Sequence, residues 1–299
     1  MGSHETVRVS QFPMNPLLAE AVAVTATFPP EAVAAGGLVG LSLGLTGGGG
    51  AIFAVPLLVY WLGVDPKTAV SISLVTVAVT ALVGAVERWW YGQLELPTGL
   101  LFAAAGMVAA PLGSWLGTLV PPSVLLAAFA VLMLVIAARM WLKASDNVER
   151  LSPASLDAGS GPACRRDPEG KLRMTSRCAT VLTSVGLAVG VLSGLFGVGG
   201  GFLIVPALVT FASMGVPRAV GTSLLVMTLV GTAAVASQII AGRGIPADVT
   251  TGFVAGSIPG LFAGSFIGRR LTGPLLARIF AVAIVCVAAF VIAKTVLGL

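Results

Sequence analysis

The stretch Leu45-Thr46-Gly47-Gly48-Gly49-Gly50-Ala51 interrupts an otherwise apolar segment. Four consecutive glycines oppose a helix, each costing about 1 kcal/mol relative to alanine. A second cluster, Leu195-Phe196-Gly197-Val198-Gly199-Gly200-Gly201, follows 150 residues later. The same offset joins Leu45/Leu195, Gly47/Gly197, Gly49/Gly199, Gly50/Gly200, Pro56/Pro206, Ala69/Ala219, Ser73/Ser223, Gly92/Gly242 and Gly106/Gly256. At offset 151 the match resumes with Gly113/Gly264, Ser114/Ser265 and Gly117/Gly268. Chance apolar similarity does not hold register through glycines, prolines and serines together, so the chain is an internal duplication.

Composition names the solvent. Of 299 residues, 57% are hydrophobic and 10% charged, with a mean hydropathy of +1.01. A soluble domain carries about 25% charged residues, so this surface is built for lipid. The net charge of +5 does not indicate nucleic acid, because Lys and Arg cluster between apolar segments without aromatic interleaving, as a membrane topology signal does. The single histidine, His4, lies near the terminus, and Cys164, Cys178 and Cys286 lack metal-ligand spacing or a disulfide framework. Cys286, in an apolar helix, reads as packing. Residues 1–30 form a tail with no cleavable signal pattern, and 12–28 suit a short interfacial helix. The opening residues fit a myristoylation pattern, but a chain with many spans needs no lipid anchor.

Crossing a hydrocarbon core of about 30 Å takes about 20 apolar residues. Segments 67–90, 97–119, 122–142, 217–241, 247–268 and 275–297 qualify. Segments 31–63 and 179–214 are apolar but broken by the glycine clusters. Between the halves, 143–178 mixes Pro, Gly and Ser with seven basic and five acidic residues and reads as a solvated, partly disordered linker. The domains are therefore a tail (1–30), a first repeat (31–142), the linker and a second repeat (179–299).

The break can be threaded in two ways. As helices, 31–46 and 51–62 reach roughly 24 and 18 Å at 1.5 Å per residue, so neither spans alone. A re-entrant hairpin leaves three full spans per repeat and inverts the repeats, whereas one long broken crossing makes them parallel. With the linker cytoplasmic, the hairpin threading puts Arg88, Arg218, Arg269, Arg270 and Arg278 inside, and Arg8, Lys67, Arg243 and Lys294 outside. The parallel threading reverses that majority, so the positive-inside rule favours hairpins. The fold class expected is an all-α polytopic membrane protein of two inverted repeats, each a glycine-tipped broken helix hairpin plus three transmembrane helices.

Irregular backbone at membrane depth is tolerated where protein buries it or where it lines a watery cavity. Inverted hairpins bring their tips together near the midplane, as in transporters with discontinuous helices. Each second arm, beginning at Ala51 and at Phe202, would aim free N–H groups and a positive dipole end at that cavity, which suits an anion. Glycine permits both the turn and a close approach of the ligand. The candidate binding residues are Thr46, Gly47, Gly48, Gly49, Gly50, Gly197, Gly199, Gly200 and Gly201, with Ser73, Thr222, Ser223 and Gln238. Ser71, Thr76 and Thr228 are weaker candidates, since intramembrane hydroxyls often bond their own i−4 carbonyl. Gly113/Gly117 and Gly260/Gly264/Gly268 read as close helix packing. Pro56, Pro111, Pro206 and Pro259 should kink their segments or bound short half-helices. Glu87-Arg88-Trp89-Trp90-Tyr91 reads as a span end with an interfacial aromatic anchor. No Lys-Ser/Thr follows either glycine cluster, which excludes a P-loop. No charged residue or histidine lies near the middle of any candidate span, which argues against a membrane enzyme and against an intramembrane proton relay.

Gly197-x-Gly-Gly-Gly followed by Pro206 and Ala219-Val220-Gly221-Thr222-Ser223-Leu224, with the same layout in the first half, resembles the TauE/SafE family, the sulfite exporter or toluene-sulfonate uptake permease group. The resemblance covers about 31–297. It departs in the first repeat, which reads Gly47-Gly48-Gly49-Gly50-Ala51 and Ala69-Val70-Ser71-Ile72-Ser73. It implies secondary transport of sulfite, sulfonates or related anions in a bacterial cytoplasmic (inner) membrane, without a cofactor. The alternative is a channel or carrier for a different small solute on the same scaffold. Proton coupling and a homodimer stay open; partners are the anion and the bilayer, not nucleic acid.

Overall fold

The computed structural model describes residues 29–146, 165–166, 172–173, 176–212, 214–242, 244–268, 282 and 284–291. The tail, most of the linker and most of the expected 275–297 span lie outside these residues. The helices are α1 (Pro30–Thr46), α2 (Ala54–Tyr60), α3 (Pro66–Trp90), α4 (Leu96–Leu119), α5 (Pro122–Asp146), α6 (Ser176–Phe196), α7 (Gly201–Phe211), α8 (Val216–Ile240) and α9 (Ala247–Gly268). Residues 284–291 are also helical. α5 ends at Asp146 and α6 begins at Ser176, and between them Arg165–Arg166 pairs antiparallel with Leu172–Arg173. Cys178 is buried and disulfide-bonded, which corrects the expectation that no cysteine forms a bridge. Cys286 is a free, exposed thiol.

Prolines set the helix starts. Pro30, Pro66, Pro97 and Pro217 occupy first-turn positions, where the missing N–H would have had no intrahelical partner. Asp65 caps α3 by accepting from the amides of Lys67 (3.0 Å) and Thr68 (3.4 Å). Pro111, Pro206 and Pro259 lie inside α4, α7 and α9. Five helices among the described residues are long and apolar enough to cross a membrane, the longest being α3 and α8 at 25 residues each. Val108, Leu112, Trp115 and Ile240 face outward, as lipid-facing positions should. Trp89, Trp90 and Tyr91 are exposed at the end of α3, as the interfacial reading requires.

The repeats interlock rather than stand side by side. α1 packs on α9 and α6 on α4, so each broken segment lies against a helix of the other repeat. The partners approach through glycine steps of four. Gly36, Gly40 and Gly44 face Phe253, Ser257 and Leu261, while Gly186, Gly190 and Gly194 face Phe102, Gly106 and Ala110. Both series ascend together, so each pair runs parallel. Thr80 meets Ser257 and Gly84 meets Leu261, which makes α3 parallel to α9 and hence to α1. The equivalent helices α3 and α8 form the centre of the molecule. Ser71 meets Gln238, Ala78 meets Gly231 and Arg88 meets Gly221, so these two run antiparallel. The expected packing role of Gly113, Gly260 and Gly264 matches their places, each set directly against backbone of α6 or α1.

Candidate site where the two broken segments meet

The breaks fall where the glycines predict, but the two are not alike. α1 ends at Gly47 (φ 70°) and α6 at Gly197 (φ 72°), a left-handed turn that glycine enters without a Cβ penalty. In the second repeat α7 begins at once at Gly201, capped by Gly200 (φ 69°). In the first, a 3₁₀ turn over Gly49–Phe53 precedes α2, whose α-helical part starts at Ala54. The second arms therefore start at Gly49 and Gly201 rather than at Ala51 and Phe202. Thr46 is the local reason for the difference. Its hydroxyl donates to the Ser42 carbonyl (2.8 Å) and accepts from the Gly50 amide (3.2 Å), tying the tip into a tight turn. The matching position is Phe196, which packs against Phe129 with ring centroids 5.6 Å apart.

The tips touch. A methyl built on Gly48 would lie 2.6 Å from the Gly201 carbonyl oxygen, and one on Gly201 would lie 2.7 Å from the Gly48 Cα. Gly199 abuts Val77 and Gly201 abuts Met227, near the middle of α3 and of α8. The contact of the two breaks is thus at the centre of the longest helices. Gly50 lies against Ser42 and Leu43 of its own α1. Gly49 sits in the 3₁₀ turn.

Ser73 and Ser223 come to these tips, in exchanged fashion. The Ser73 hydroxyl donates to the Gly197 carbonyl at 2.6 Å, and the Ser223 hydroxyl donates to the Gly47 carbonyl at 2.6 Å. Each repeat thus satisfies the left-handed glycine of the other. Both serines are fully buried. Thr222 turns away from the tip to accept from the Glu95 amide (3.1 Å) at the start of α4. Gln238 lies at the opposite end of α8, where its Oε1 accepts from Ser71; its Nε2 is buried with no partner among the described residues. The structure therefore gathers the glycines, Ser73 and Ser223, and leaves Thr222 and Gln238 toward the two ends of the α3–α8 pair.

Truncating either exchanged serine would leave a buried carbonyl without its donor, a loss of about 1–3 kcal/mol. Ser73→Ala and Ser223→Ala should therefore each lower the unfolding temperature in detergent by a similar amount. Unchanged melting in both would mean that these hydroxyls are not committed to the backbone.

Two buried hydroxyls that the site reading missed or ranked low are Ser193 and Thr76, each without a hydrogen-bond partner among the described residues. Ser193 lies one turn before the second break, with its Cβ close to Gly200. Its sequence signal was faint, because its repeat mate is Leu43 and no pairing flagged it. Along α1 and α2 runs an open groove of about 600 Å³, lined by Leu38, Leu45, Phe53, Tyr60, Trp61 and Phe290. Its apolar walls suit hydrocarbon rather than an anion. Among the described residues no cluster of His, Cys, Asp or Glu could hold a metal.

Long apolar helices in an interlocked duplication, broken where the halves meet, define a polytopic membrane protein. The chain belongs to the family described as sulfite exporter TauE/SafE, whose model matches residues 32–291. It is 34% identical over 266 residues to a "Probable membrane transporter protein" of Xylella fastidiosa (strain Temecula1 / ATCC 700964), covering 87% of this chain and 93% of that one. It is 28% identical over 247 residues to "Probable membrane transporter protein YdhB" of Bacillus subtilis (strain 168), covering 79% and 86%. A "Probable membrane transporter protein" of Haemophilus influenzae is 26% identical over 257 residues, covering 82% and 87%. No solved structure matches the chain. Family and relatives make this a membrane transport protein.

Proposed function

We propose that the protein is a secondary transporter of sulfite- or sulfonate-type anions, held near the midplane where the two breaks meet. The observation that carries the reading is the contact of two glycine breaks at the centre of the antiparallel α3–α8 pair. The opposite directions of these equivalent helices support inverted repeats. The parallel course of α1 and α3 supports a first break that returns the chain to its starting side. On this reading α1 to α2 is hairpin 1 and α6 to α7 is hairpin 2, each followed by three spans. Tip glycines Gly47, Gly48, Gly49, Gly50, Gly197, Gly199, Gly200 and Gly201 let backbone and ligand approach closely, with Thr46, Ser73 and Ser223 holding the tips in shape. Thr222 and Gln238 border the approaches from the two ends. The tips part to admit the anion and close behind it, as alternating access about a fixed site requires.

On this reading the membrane is the bacterial cytoplasmic (inner) membrane with the linker on its cytoplasmic side, and the basic residues of the linker are in keeping with that side. Thiols are kept reduced in that compartment, so the Cys178 disulfide would open there. With no ionisable group at mid-span, any proton coupling would fall to the substrate or to residues near the span ends. A neutral-solute carrier on the same scaffold is the competing reading. Purified protein in liposomes should take up labelled sulfite and small sulfonates, with chloride and glycerol at background. Uptake of a neutral solute with no anion uptake would overturn the reading.

A further inference from the structure

Counting spent and unspent donors separates the two hairpins, although the sequence repeats them. In hairpin 1 most polar groups satisfy one another, the Gly48 amide being the exception among the described residues. Thr46 takes the Gly50 amide, Gly47 donates to the Leu43 carbonyl, and Ser42 donates to the carbonyls of Leu38 (2.8 Å) and Val39 (2.9 Å). Its 3₁₀ turn uses the following amides, and α2 is only seven residues long. In hairpin 2 the carbonyls of Ser193 and Gly197 are covered, while several donors at the turn are not. The Ser193 carbonyl takes the Gly197 amide and the Gly197 carbonyl takes the Ser73 hydroxyl, which masks the oxygens that would repel an anion. Among the described residues, no acceptor meets the amides of Val198, Gly199 or Gly200. Gly199 and Gly200 are consecutive left-handed residues (φ 66° and 69°), a tight turn that only glycine enters without strain and that leads straight into α7. This turn opens the eleven-residue α7, which has no side-chain cap.

Ser193 is the independent sign of a ligand. Serine and threonine in these helices habitually return their proton to a carbonyl three or four residues back, as Ser42, Thr80, Thr228 and Ser257 do. Ser193 does not. It is fully buried, its hydroxyl has no partner, and its Cβ lies 3.6 Å from where a side chain on Gly200 would begin. A buried hydroxyl left unpaired costs free energy that an apolar residue would not, as Leu43 shows at the matching place. Thr76, also buried and unpaired, lies on the same face of α3 as Ser73, one turn further along. Lys67, whose ammonium donates to the Thr118 carbonyl (3.1 Å), lines a void of about 10 Å³ with Val70, Gly194 and Leu195 beside the end of α6.

We infer that hairpin 2 alone takes the anion, with Ser193 as its side-chain donor, and that hairpin 1 is a sealed counterpart. The ligand is a small oxyanion with several acceptor oxygens, a class that rests on the transport reading above. Two variants in proteoliposomes loaded for labelled sulfite uptake decide it. Ser193→Ala should raise KM about tenfold or more, the loss of one hydrogen bond to a charge, while its melting temperature holds or rises. Ser42→Ala should leave KM unchanged and lower the melting temperature. An unchanged KM in Ser193→Ala, or an equal rise in Ser42→Ala, overturns the assignment to hairpin 2 while transport by the wild type stands. No oxyanion uptake by the wild type sinks the transport reading and this inference with it.

Discussion

Gly40→Leu should leave little folded protein in the membrane, and Gly40→Ala should lower the unfolding temperature markedly. The reason is the wall that Gly40 faces. A methyl group there would overlap the carbonyl oxygen of Ser257 and lie 2.7 Å from its Cα, so backbone of α9 rather than a movable side chain stands in the way. Overpacking a tight site costs about 1–3 kcal/mol, and here no rotamer change can relieve it, so alanine falls at the upper end. α1 and α9 would have to separate along their length, because Gly36 and Gly44 make the same backbone approach one turn either side. Gly37 supplies the control within the same helix. A methyl there meets only the Gly256 carbonyl oxygen at 3.7 Å, an ordinary contact. Gly37→Ala should melt at or above the wild-type temperature, gaining the helix propensity that alanine brings. Thermal unfolding of the three variants in one detergent checks this; equal stability of Gly40→Ala and Gly37→Ala would refute the packing account.

That comparison shows where sequence reading stops. Four of the expected spans, those of α3, α4, α8 and α9, were legible because length and hydropathy fix them, whereas α6, read as one arm of a broken segment, is itself long and apolar enough to cross. The duplication was legible because glycine and proline positions keep register. Which helices would touch was not. Gly260 and Gly264 announce a close approach, but nothing in their spacing says that the partner stripe is Gly36/Gly40/Gly44 of the opposite repeat. The exchange had a further consequence for the site. Ser73 and Ser223 looked like ligand donors because hydroxyls beside a glycine tip can serve an anion, yet their protons go to the Gly197 and Gly47 carbonyls. The break at Gly47–Gly50 was legible as a break, while its 3₁₀ form depended on Thr46 reaching the Gly50 amide, a bond formed only once the turn exists. Ser193 escaped notice for the opposite reason. A serine in an apolar helix is ordinary, and only the absence of its usual backbone bond makes it informative.

The second large effect is expected on transport. Gly48→Val should reduce sulfite uptake to a few per cent of wild type or less, and Gly48→Ala should reduce it severalfold. Gly48 has φ 166°, outside the left-handed region that marks Gly47, so the steric contact is the effect to weigh. What it meets is the other tip: a Cβ at Gly48 would lie 2.6 Å from the Gly201 carbonyl oxygen and 2.9 Å from its Cα. The two breaks could then no longer close on each other. If alternation needs that closure, a misfit of about 2–3 kcal/mol at the closed state translates into a loss of roughly thirty- to more than a hundredfold. Stability should fall far less than for Gly40→Leu, since the disturbance is confined to one contact rather than a helix-long seam. Gly47 makes a poorer probe, because its φ of 70° adds strain and its Cβ would overlap the Val220 side chain. Uptake and melting measured on the same Gly48→Val preparation separate the two effects. Wild-type uptake from a normally folded Gly48→Val protein would show that the tips need not meet, and the midplane site would have to be abandoned.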